Sequence, residues 1–258
     1  MPGPPGRHTW LQRFLPPENT VTVASVTKKR SKFVRIARWA LIFAAILLAI
    51  PPVQIAGTIL GNPRTSLMQW QRKLENRSGV PQRPILWVPL EDIPVPLIHF
   101  IWASEDQMFF RHRGFDLPQL LKAVQDAGGR GASTITMQCA RSVFLWQGRS
   151  YIRKGLEAYY TLWMELLLSK RRILELYLNH IELGPGIYGV GAAAEAHFQK
   201  SPGQLTRRQM IALAAILPNP LEWSPSKPNA TVERKIRRIE RLSSRATFPV
   251  SELKASPK

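Results

Sequence analysis

One acidic residue, Glu105, lies on the apolar face of a predicted helix. At helical spacing it shares that face with apolar residues that include Trp102 and Phe109, so its carboxyl group points where a core side chain would normally go. Burial against aromatic groups raises the pKa of a carboxyl toward neutrality, which suits a general base that removes a proton from a hydroxyl group. The alternative is a structural ion pair with Arg111 or His112 at the end of the helix.

The second candidate segment is a glycine-rich stretch, residues 128–131, followed by a predicted helix with Ser133 as its N-cap. The free backbone N–H groups and the positive dipole end of such a helix favour phosphate. Thr134, Gln138 and Arg141 share one face of it, so a hydroxyl, an amide and a guanidinium group could converge on a diphosphate. Taken alone, the segment is more simply explained by a flexible loop and an ordinary capped helix.

The third segment combines an acid with two cations. Glu157 follows Arg153 and Lys154 by one helical turn, and nearby cations favour the charged form of a carboxyl. Glu157 and Glu105 are therefore expected in opposite environments, one beside cations and one against apolar side chains. Taken alone, the segment is also typical of a plain surface salt bridge.

The chain is strongly basic, with 36 Lys and Arg residues against 17 Asp and Glu and a formal net charge of +19. Residues 1–60 hold 8 basic residues and 1 acidic residue, which leaves 28 against 16, or +12, for the remainder. Because both portions are basic, an anionic partner is expected: nucleic acid, acidic lipid headgroups or a phosphorylated substrate. The single cysteine, Cys139, excludes an internal disulfide and is interpreted as a small core residue.

An uncharged apolar stretch over residues 39–62 predicts a membrane span, since a spanning helix needs about 20 apolar residues. Basic residues that flank a span stay cytoplasmic. We therefore predict a basic cytoplasmic tail over 1–33, a transmembrane anchor over 34–60, and export of the rest of the chain. Six basic residues precede the span: Lys28, Lys29, Arg30, Lys32, Arg35 and Arg38.

Two other interpretations of the apolar stretch stay open. Pro51 and Pro52 interrupt it, which resembles the apolar core of a cleaved signal peptide. The nearest candidate cleavage site, 54–56, places the large polar residue Gln54 where a small residue is needed, and this favours an uncleaved anchor. A buried core helix fits poorly beside the block of positive charges.

The remainder of the chain is predicted to be a mainly α domain, and the 45% hydrophobic content excludes a disordered chain. We expect a linker or jaw over 61–85, a folded domain over 86–242, and a disordered tail over 243–258 that is too polar to pack. Trp87–Pro89 is a candidate short strand. Helices are predicted near residues 96–110, 133–145, 153–180, 189–198, 206–217 and 230–242.

Several groups of residues occur together in the order of a known family. They resemble the glycosyltransferase family 51 domain, specifically the monofunctional biosynthetic peptidoglycan transglycosylases. The groups are Glu105-Asp106 with Phe109, His112 and Gly114; Gly131–Thr136 with Gln138; Arg153-Lys154 with Glu157; Lys170 with Ile173–Asn179; and Leu217–Pro220.

The resemblance implies a lysozyme-like helical lobe with a smaller membrane-proximal jaw, and a glycosyltransferase domain over 86–242. The implied reaction polymerises lipid II into β-1,4-linked strands, with inversion and release of undecaprenyl diphosphate, at the outer face of the bacterial cytoplasmic (inner) membrane. The implied partners are lipid II, the growing glycan strand, the membrane and other cell-wall synthesis proteins. A divalent cation, magnesium or manganese, is implied and no organic cofactor, although no ligand cluster in the sequence predicts a metal site.

By the same resemblance, two acids have catalytic roles. Glu105 would be the base that deprotonates the 4-hydroxyl of the acceptor sugar, and Glu157 would help to hold the diphosphate or its divalent cation. The implied substrate-binding residues are Asp106, Phe109, His112, Ser133, Thr134, Gln138, Arg141, Arg153 and Lys154.

The sequence departs from the family pattern at three positions. Met137 stands where the family has the first of two glutamines, and Arg141-Ser142 stands where it has Lys-Asn. Arginine keeps the positive charge but changes its geometry, so the role implied for Arg141 is the one most affected.

Two other functions stay open. A lytic transglycosylase or muramidase shares the lobe and one acid but cleaves glycan, and a hydrolase of uncharged glycan needs no cation cluster for a diphosphate. A non-catalytic, membrane-anchored scaffold of the cell-wall machinery would tolerate Glu105→Gln. Nucleic-acid binding is disfavoured by the predicted export.

Overall fold

The computed structural model describes Met1 and residues 23–75, 79, 81–125, 133–148 and 150–254, with backbone only for residues 23–31 and 124. The chain divides into two compact units, Met1–Ala49 and Ile50–Lys258. Most of the predicted basic tail and the glycine-rich stretch lie outside the described residues.

The first described helix, α1 (Val23–Leu60), contains the predicted anchor. Its segment Lys32–Leu60 is long and apolar enough to cross a membrane. Large apolar side chains on it are exposed, such as Trp39 at 65% and Leu41 at 72%, as expected of a helix whose surroundings are lipid. Pro51 and Pro52 lie inside the helix and do not end it, so the expected interruption of the apolar stretch is wrong at the level of the backbone.

The second unit is helical apart from two short strands among its described residues, so the mainly α prediction is confirmed. The antiparallel pair is β1 (Glu182–Gly184) with β2 (Ile187–Tyr188). Two 3₁₀ turns cover Leu90–Asp92 and Pro202–Gln204. The helices are α2 (Leu67–Glu75), α3 (Val95–Glu105), α4 (Leu117–Gln125), α5 (Ile135–Phe144), α6 (Tyr151–Leu167), α7 (Lys170–His180), α8 (Gly189–Phe198), α9 (Arg207–Ile216), α10 (Ala230–Arg245) and α11 (Val250–Lys254).

The core of the second unit is built from two sets of packed helices. One set packs α5 against α6 and α7, and the other packs α3 against α9 and α10. Side chains with no exposed surface line both, among them Ile101 in α3, Cys139 in α5, Leu176 in α7 and Leu213 in α9. Cys139 is thus a core residue, as predicted.

The last turns of α1 belong to the second unit. Ile55 is fully buried, and Gln54 accepts a hydrogen bond of 2.5 Å from the Tyr160 hydroxyl. The Arg172 guanidinium donates to the carbonyl oxygens of Thr58 (2.7 Å from Nη2) and Gly61 (3.2 Å), which a helix C-terminus leaves without partners. This arrangement fixes the end of α1 to α6 and α7.

Three predicted helices change their bounds. The helix expected over 96–110 ends at Glu105, and a turn follows. The helix expected over 153–180 divides at Leu168–Ser169, because the Ser169 hydroxyl accepts from the Arg172 N–H and starts a new helix. The helix over 230–242 continues to Arg245.

The candidate strand at Trp87–Pro89 is wrong, since this segment has no strand partner. Instead, the Asn179 side chain holds it by accepting from the Val88 N–H (2.8 Å) and donating to the Val88 carbonyl (2.9 Å). The helices α2 and α4 were not predicted at all.

The disordered tail predicted over 243–258 is wrong for the described residues. Ser243 is buried in α10, and Phe248 is 7% exposed against His99 and Trp102. The His99 ring also hydrogen-bonds to the Ala246 carbonyl (3.1 Å). Phe248, with Ala246 and Leu253 packed beside it, therefore holds an otherwise polar segment on the core. Residues 255–258 lie outside the described part.

Candidate active site

Glu105 is the last residue of α3 and is partly buried. Its side chain accepts from Gln138 Nε2 (3.1 Å, to Oε2) and from the Ser104 hydroxyl (3.4 Å, to Oε1). Burial raises the pKa of this carboxyl, and the hydrogen bonds and the positive charges of Lys235 and Arg141 offset part of that rise. The raised pKa expected from the sequence is therefore confirmed. The alternative pair with Arg111 or His112 is not formed.

The next residue, Asp106, fastens the site to α5. Its Oδ2 accepts from the Ile135 N–H (3.0 Å) and lies 2.9 Å from His112 Nε2. Because the Gly114 N–H donates to His112 Nδ1 (3.1 Å), the ring proton is on Nε2 and points at Asp106. Asp106 is 3% exposed, so it supports the site from inside the protein.

Gly114 meets α6 in a conformation that favours glycine. Its φ is +86°, and a Cβ atom there would lie 2.7 Å from Thr161 Cγ2. Its carbonyl accepts a 2.6 Å hydrogen bond from the Thr134 hydroxyl. The loop after α3 is thereby held against the start of α5.

The N-cap of α5 is Thr134 and not Ser133, which corrects the prediction. The Thr134 hydroxyl oxygen accepts from the Met137 N–H (3.2 Å), and this residue is 3% exposed. Ser133 lies one residue earlier. Its hydroxyl oxygen accepts a hydrogen bond from Lys154 Nζ (3.3 Å). The cap thus presents Ser133 toward α6.

The amide of Gln138 connects three parts of the site. Its Nε2 donates to Glu105 and, at 3.3 Å, to the Ser133 carbonyl, while its Oε1 accepts from the Tyr177 hydroxyl at 2.9 Å. All of these groups come from different segments: α3, the start of α5, and α7. Gln138 therefore fixes the position of the acid relative to the start of α5.

Glu157 is fully buried and has a cation on each oxygen. Arg153 Nη1 lies 2.6 Å from Oε2, and Lys154 Nζ lies 2.5 Å from Oε1. Arg153 also donates through Nε to the Gly148 carbonyl (2.7 Å). The surface salt bridge considered from the sequence is excluded by this burial. Lys154 is the most exposed of the three, with 46% of its side chain exposed against 10% for Arg153.

These contacts form one continuous series. It runs from Glu105 through Gln138 to Ser133, and from Ser133 through Lys154 to Glu157. The partly buried Glu105 therefore lies in one site with the cation cluster, Arg153 and Lys154, which follows it by 48 and 49 residues in the sequence.

The predicted site residues fall into two groups. Glu105, Ser133, Gln138, Arg141 and Lys154 keep exposed surface and face the site. The others are buried or nearly so and support it: Asp106, Phe109, His112, Thr134, Arg153 and Glu157. Phe109, for example, has no exposed surface and lies under Lys170 Nζ, which is 4.5 Å from the ring centroid.

Sequence reasoning did not assign two residues that the structure brings to Glu105. Lys235 comes from α10, and its charge acts on the Glu105 carboxyl. Tyr177 comes from α7 and contacts Gln138. Tyr177 belongs to the family motif over 173–179, which was a usable signal, whereas nothing in the local sequence distinguishes Lys235 from the other cations of α10.

The described residues do not offer a protein-built metal site. No group of three or more His, Cys, Asp or Glu side chains converges in that part of the chain. Both Glu157 oxygens already have cation partners, so a metal ion would have to displace Arg153 or Lys154.

Comparison with known proteins shows the family of the chain. The sequence model of the transglycosylase family matches residues 73–243. A biosynthetic peptidoglycan transglycosylase of Pseudomonas entomophila (strain L48) is 46% identical over 206 residues, which cover 76% of this chain and 86% of that protein. Its counterpart in Caulobacter vibrioides is 43% identical, covering 75% and 88%. The chain therefore belongs to the transglycosylase family, and the resemblance found in its motifs is confirmed.

Proposed function

We propose that this peptidoglycan glycosyltransferase polymerises lipid II into β-1,4-linked glycan strands. The observation that carries the proposal is the connected series from Glu105 to the cation cluster. A proton acceptor and a site for an anionic leaving group are the two things that transfer from a sugar diphosphate requires. The relatives are named biosynthetic transglycosylases, and these names support synthesis of glycan strands over their cleavage.

In the proposed reaction, the Glu105 carboxylate takes the proton from the 4-hydroxyl of the acceptor sugar. The hydroxyl oxygen then bonds to the anomeric carbon of the growing strand, and the bond from that carbon to the diphosphate oxygen breaks. Undecaprenyl diphosphate leaves with the bonding electrons. A single displacement of this kind inverts the anomeric centre. Burial of Glu105 supports its role, since a carboxyl with a raised pKa is a stronger base.

The diphosphate would be met by the exposed cations of the site. Lys154 is half-exposed and held toward Ser133, and Arg141 is partly exposed on the same face of α5 as Gln138. Charge-assisted hydrogen bonds from such groups are the strong kind for phosphate. Arg153 and Glu157 would keep Lys154 in place, so Glu157 acts on the leaving group through its neighbour.

The resemblance implies a divalent cation. We propose that the substrate diphosphate, and not the protein, supplies most of its ligands. Magnesium is commonly bound through substrate phosphates and waters with few protein groups. The pairing of both Glu157 oxygens supports this assignment.

The site is proposed to work at the outer face of the cytoplasmic membrane. The helix over Lys32–Leu60 is consistent with a single-pass anchor, and the basic residues before it favour a cytoplasmic N-terminus. The lipid tail of the substrate would stay in the bilayer while its diphosphate binds the exposed cations of the site, Lys154 and Arg141.

The direct test uses the full-length protein in detergent with labelled lipid II, and follows polymer formation on a gel. Polymer with wild type and none with Glu105→Gln supports the proposal. Wild type that cleaves preformed strands and makes no polymer would indicate a lytic transglycosylase or muramidase. Equal behaviour of wild type and Glu105→Gln in both reactions would indicate a non-catalytic scaffold.

A further inference from the structure

Tyr177 is a fully buried tyrosine whose hydroxyl group contacts the site through Gln138. It has no exposed surface, and its hydroxyl donates to Gln138 Oε1 at 2.9 Å. Burial, followed by the charge of Glu105, raises the pKa of Tyr177 well above its ordinary value. The phenol therefore stays neutral and acts as a donor across the pH range of enzyme activity.

A fixed donor at Gln138 Oε1 decides which side of the amide faces Glu105. With Oε1 turned to Tyr177, Nε2 has two acceptors, the Glu105 carboxyl at 3.1 Å and the Ser133 carbonyl at 3.3 Å. An N–H group that donates to a carboxyl favours its charged form. A rotated amide would instead present Oε1 to Glu105 and favour the protonated form, which cannot accept a proton.

We propose that Tyr177 is a positioning residue that holds the Gln138 amide so that Glu105 is kept as a carboxylate ready to accept a proton. The inference rests on the proposed function, because it assigns a role to Tyr177 in the same site. Tyr177 itself touches neither substrate nor reacting atoms and acts only through Gln138.

The other groups around Glu105 act independently of Tyr177. Arg141 faces it from α5, Lys235 from α10, Ser104 from its own helix, and Asp106 follows it in the chain. Arg141, Cys139 and Asp106 also face Tyr177. Because Tyr177→Phe leaves all of these in place, its effect on Glu105 is limited to the amide link, equivalent to one hydrogen bond.

The test compares pH profiles of lipid II polymerisation by full-length protein. On the acid side of the profile, where the rate falls with pH, Tyr177→Phe is expected to lower the rate about tenfold. This corresponds to about 1.4 kcal/mol of lost stabilisation of the carboxylate. The loss should be clearly smaller on the alkaline plateau. The matched control is Tyr188→Phe, another buried tyrosine, whose hydroxyl lies 3.4 Å from Glu182; its acid limb should equal that of wild type.

A second comparison isolates the route through the amide. In a Gln138→Met background the acid limb is already shifted, and adding Tyr177→Phe should shift it no further. A uniform loss across all pH values in Tyr177→Phe would mean a packing defect and overturn the inference. An equal additional shift in the Gln138→Met background would also overturn it, since Tyr177 would then act by another route.

An activity-independent measurement separates this inference from the proposed function. Isotope-edited infrared spectroscopy identifies the Glu105 carboxyl band as the one that is lost in Glu105→Gln. The pH midpoint at which this band titrates should rise in Tyr177→Phe, whether or not polymer forms. An unchanged midpoint overturns the inference even if polymerisation is normal. If Tyr177→Phe does not fold, 3-fluorotyrosine at this position provides a stronger donor, and the midpoint should fall; no change contradicts the inference.

Discussion

The two acids of the site differ in what surrounds them. Glu105 is partly exposed and is held by an amide and a hydroxyl, while its cations, Arg141 and Lys235, act on it without an ion pair within the described residues. Glu157 has no exposed surface and is paired on both oxygens, with Arg153 and Lys154.

The two environments suit different tasks. That of Glu105 suits the exchange of a proton, and that of Glu157 suits holding two positive charges in place. A carboxyl without a direct cation can take up a proton without breaking an ion pair. A carboxylate buried between two cations balances their charge, and its removal would leave them uncompensated. The environment of each acid, and not its residue type, is therefore the basis of the role proposed for it.

The largest effect is expected from Glu105→Gln. Removing the base while keeping the shape should lower the polymerisation rate on the order of 10³-fold, since positioned bases contribute roughly 10²–10⁴. Thermal unfolding, followed by circular dichroism, should show an intact fold. A variant that keeps more than a tenth of the wild-type rate would remove Glu105 from the role of base.

The next largest effect is expected from Glu157→Gln, and it is on stability. Arg153 would remain buried beside a neutral amide, which should lower the free energy of unfolding by about 3 kcal/mol. The matched control is Glu233→Gln, which breaks an exposed pair with Arg208 and should cost below about 1 kcal/mol. Chemical denaturation measures both, and equal costs would end the distinction between the two acids.

The same comparison predicts a pH dependence of stability. Burial raises the folded-state pKa of Glu105 above its unfolded value, so the carboxyl favours folding when protonated and this contribution is lost as pH rises through the folded pKa. Glu105→Gln should therefore unfold at a higher temperature than wild type at neutral pH, and the difference should vanish in acid below the pKa of an unfolded glutamate. Melting curves across this range measure it, and a gain that persists in acid contradicts the assignment.

The smallest effect on stability is expected from Lys154→Gln, because this side chain is half-exposed. Its loss should instead raise the KM for lipid II about tenfold, as expected for one charge-assisted contact to a diphosphate. Arg245→Gln, an exposed charge at the end of α10, controls for net charge. A KM equal to that of the control would place the diphosphate elsewhere.

Much of the site could be predicted because its residues follow local rules. Glu105 and Glu157 each have their key neighbours within one or two helical turns, so spacing was enough to predict a buried acid and a paired one. The contact between them could not be predicted. It depends on Gln138 and on Lys154 reaching Ser133 from another helix, and such contacts arise only from the packing of α5 against α6 and α7.

The errors in the fold also have identifiable physical origins. The helix α2 begins with a capping box, in which Ser66 and Gln69 exchange hydrogen bonds of 3.0 and 3.2 Å, and the Ser-x-x-Gln spacing was present in the sequence. The prolines on either side of this segment, Pro63 and Pro81, instead favour extended chain. The average polarity of the tail predicts disorder, whereas a few apolar residues, Phe248 above all with Ala246 and Leu253, pack it on the core.

The hydrogen bonds between Arg172 and the end of α1 determine where the chain can be shortened. A version that starts after residue 61 would leave this guanidinium without the Thr58 and Gly61 carbonyls and would empty the buried position of Ile55. A version that starts at Ile50, the first residue of the second unit, would keep both. We therefore expect a fragment that keeps the last turns of α1 to have a higher free energy of unfolding than one that lacks them.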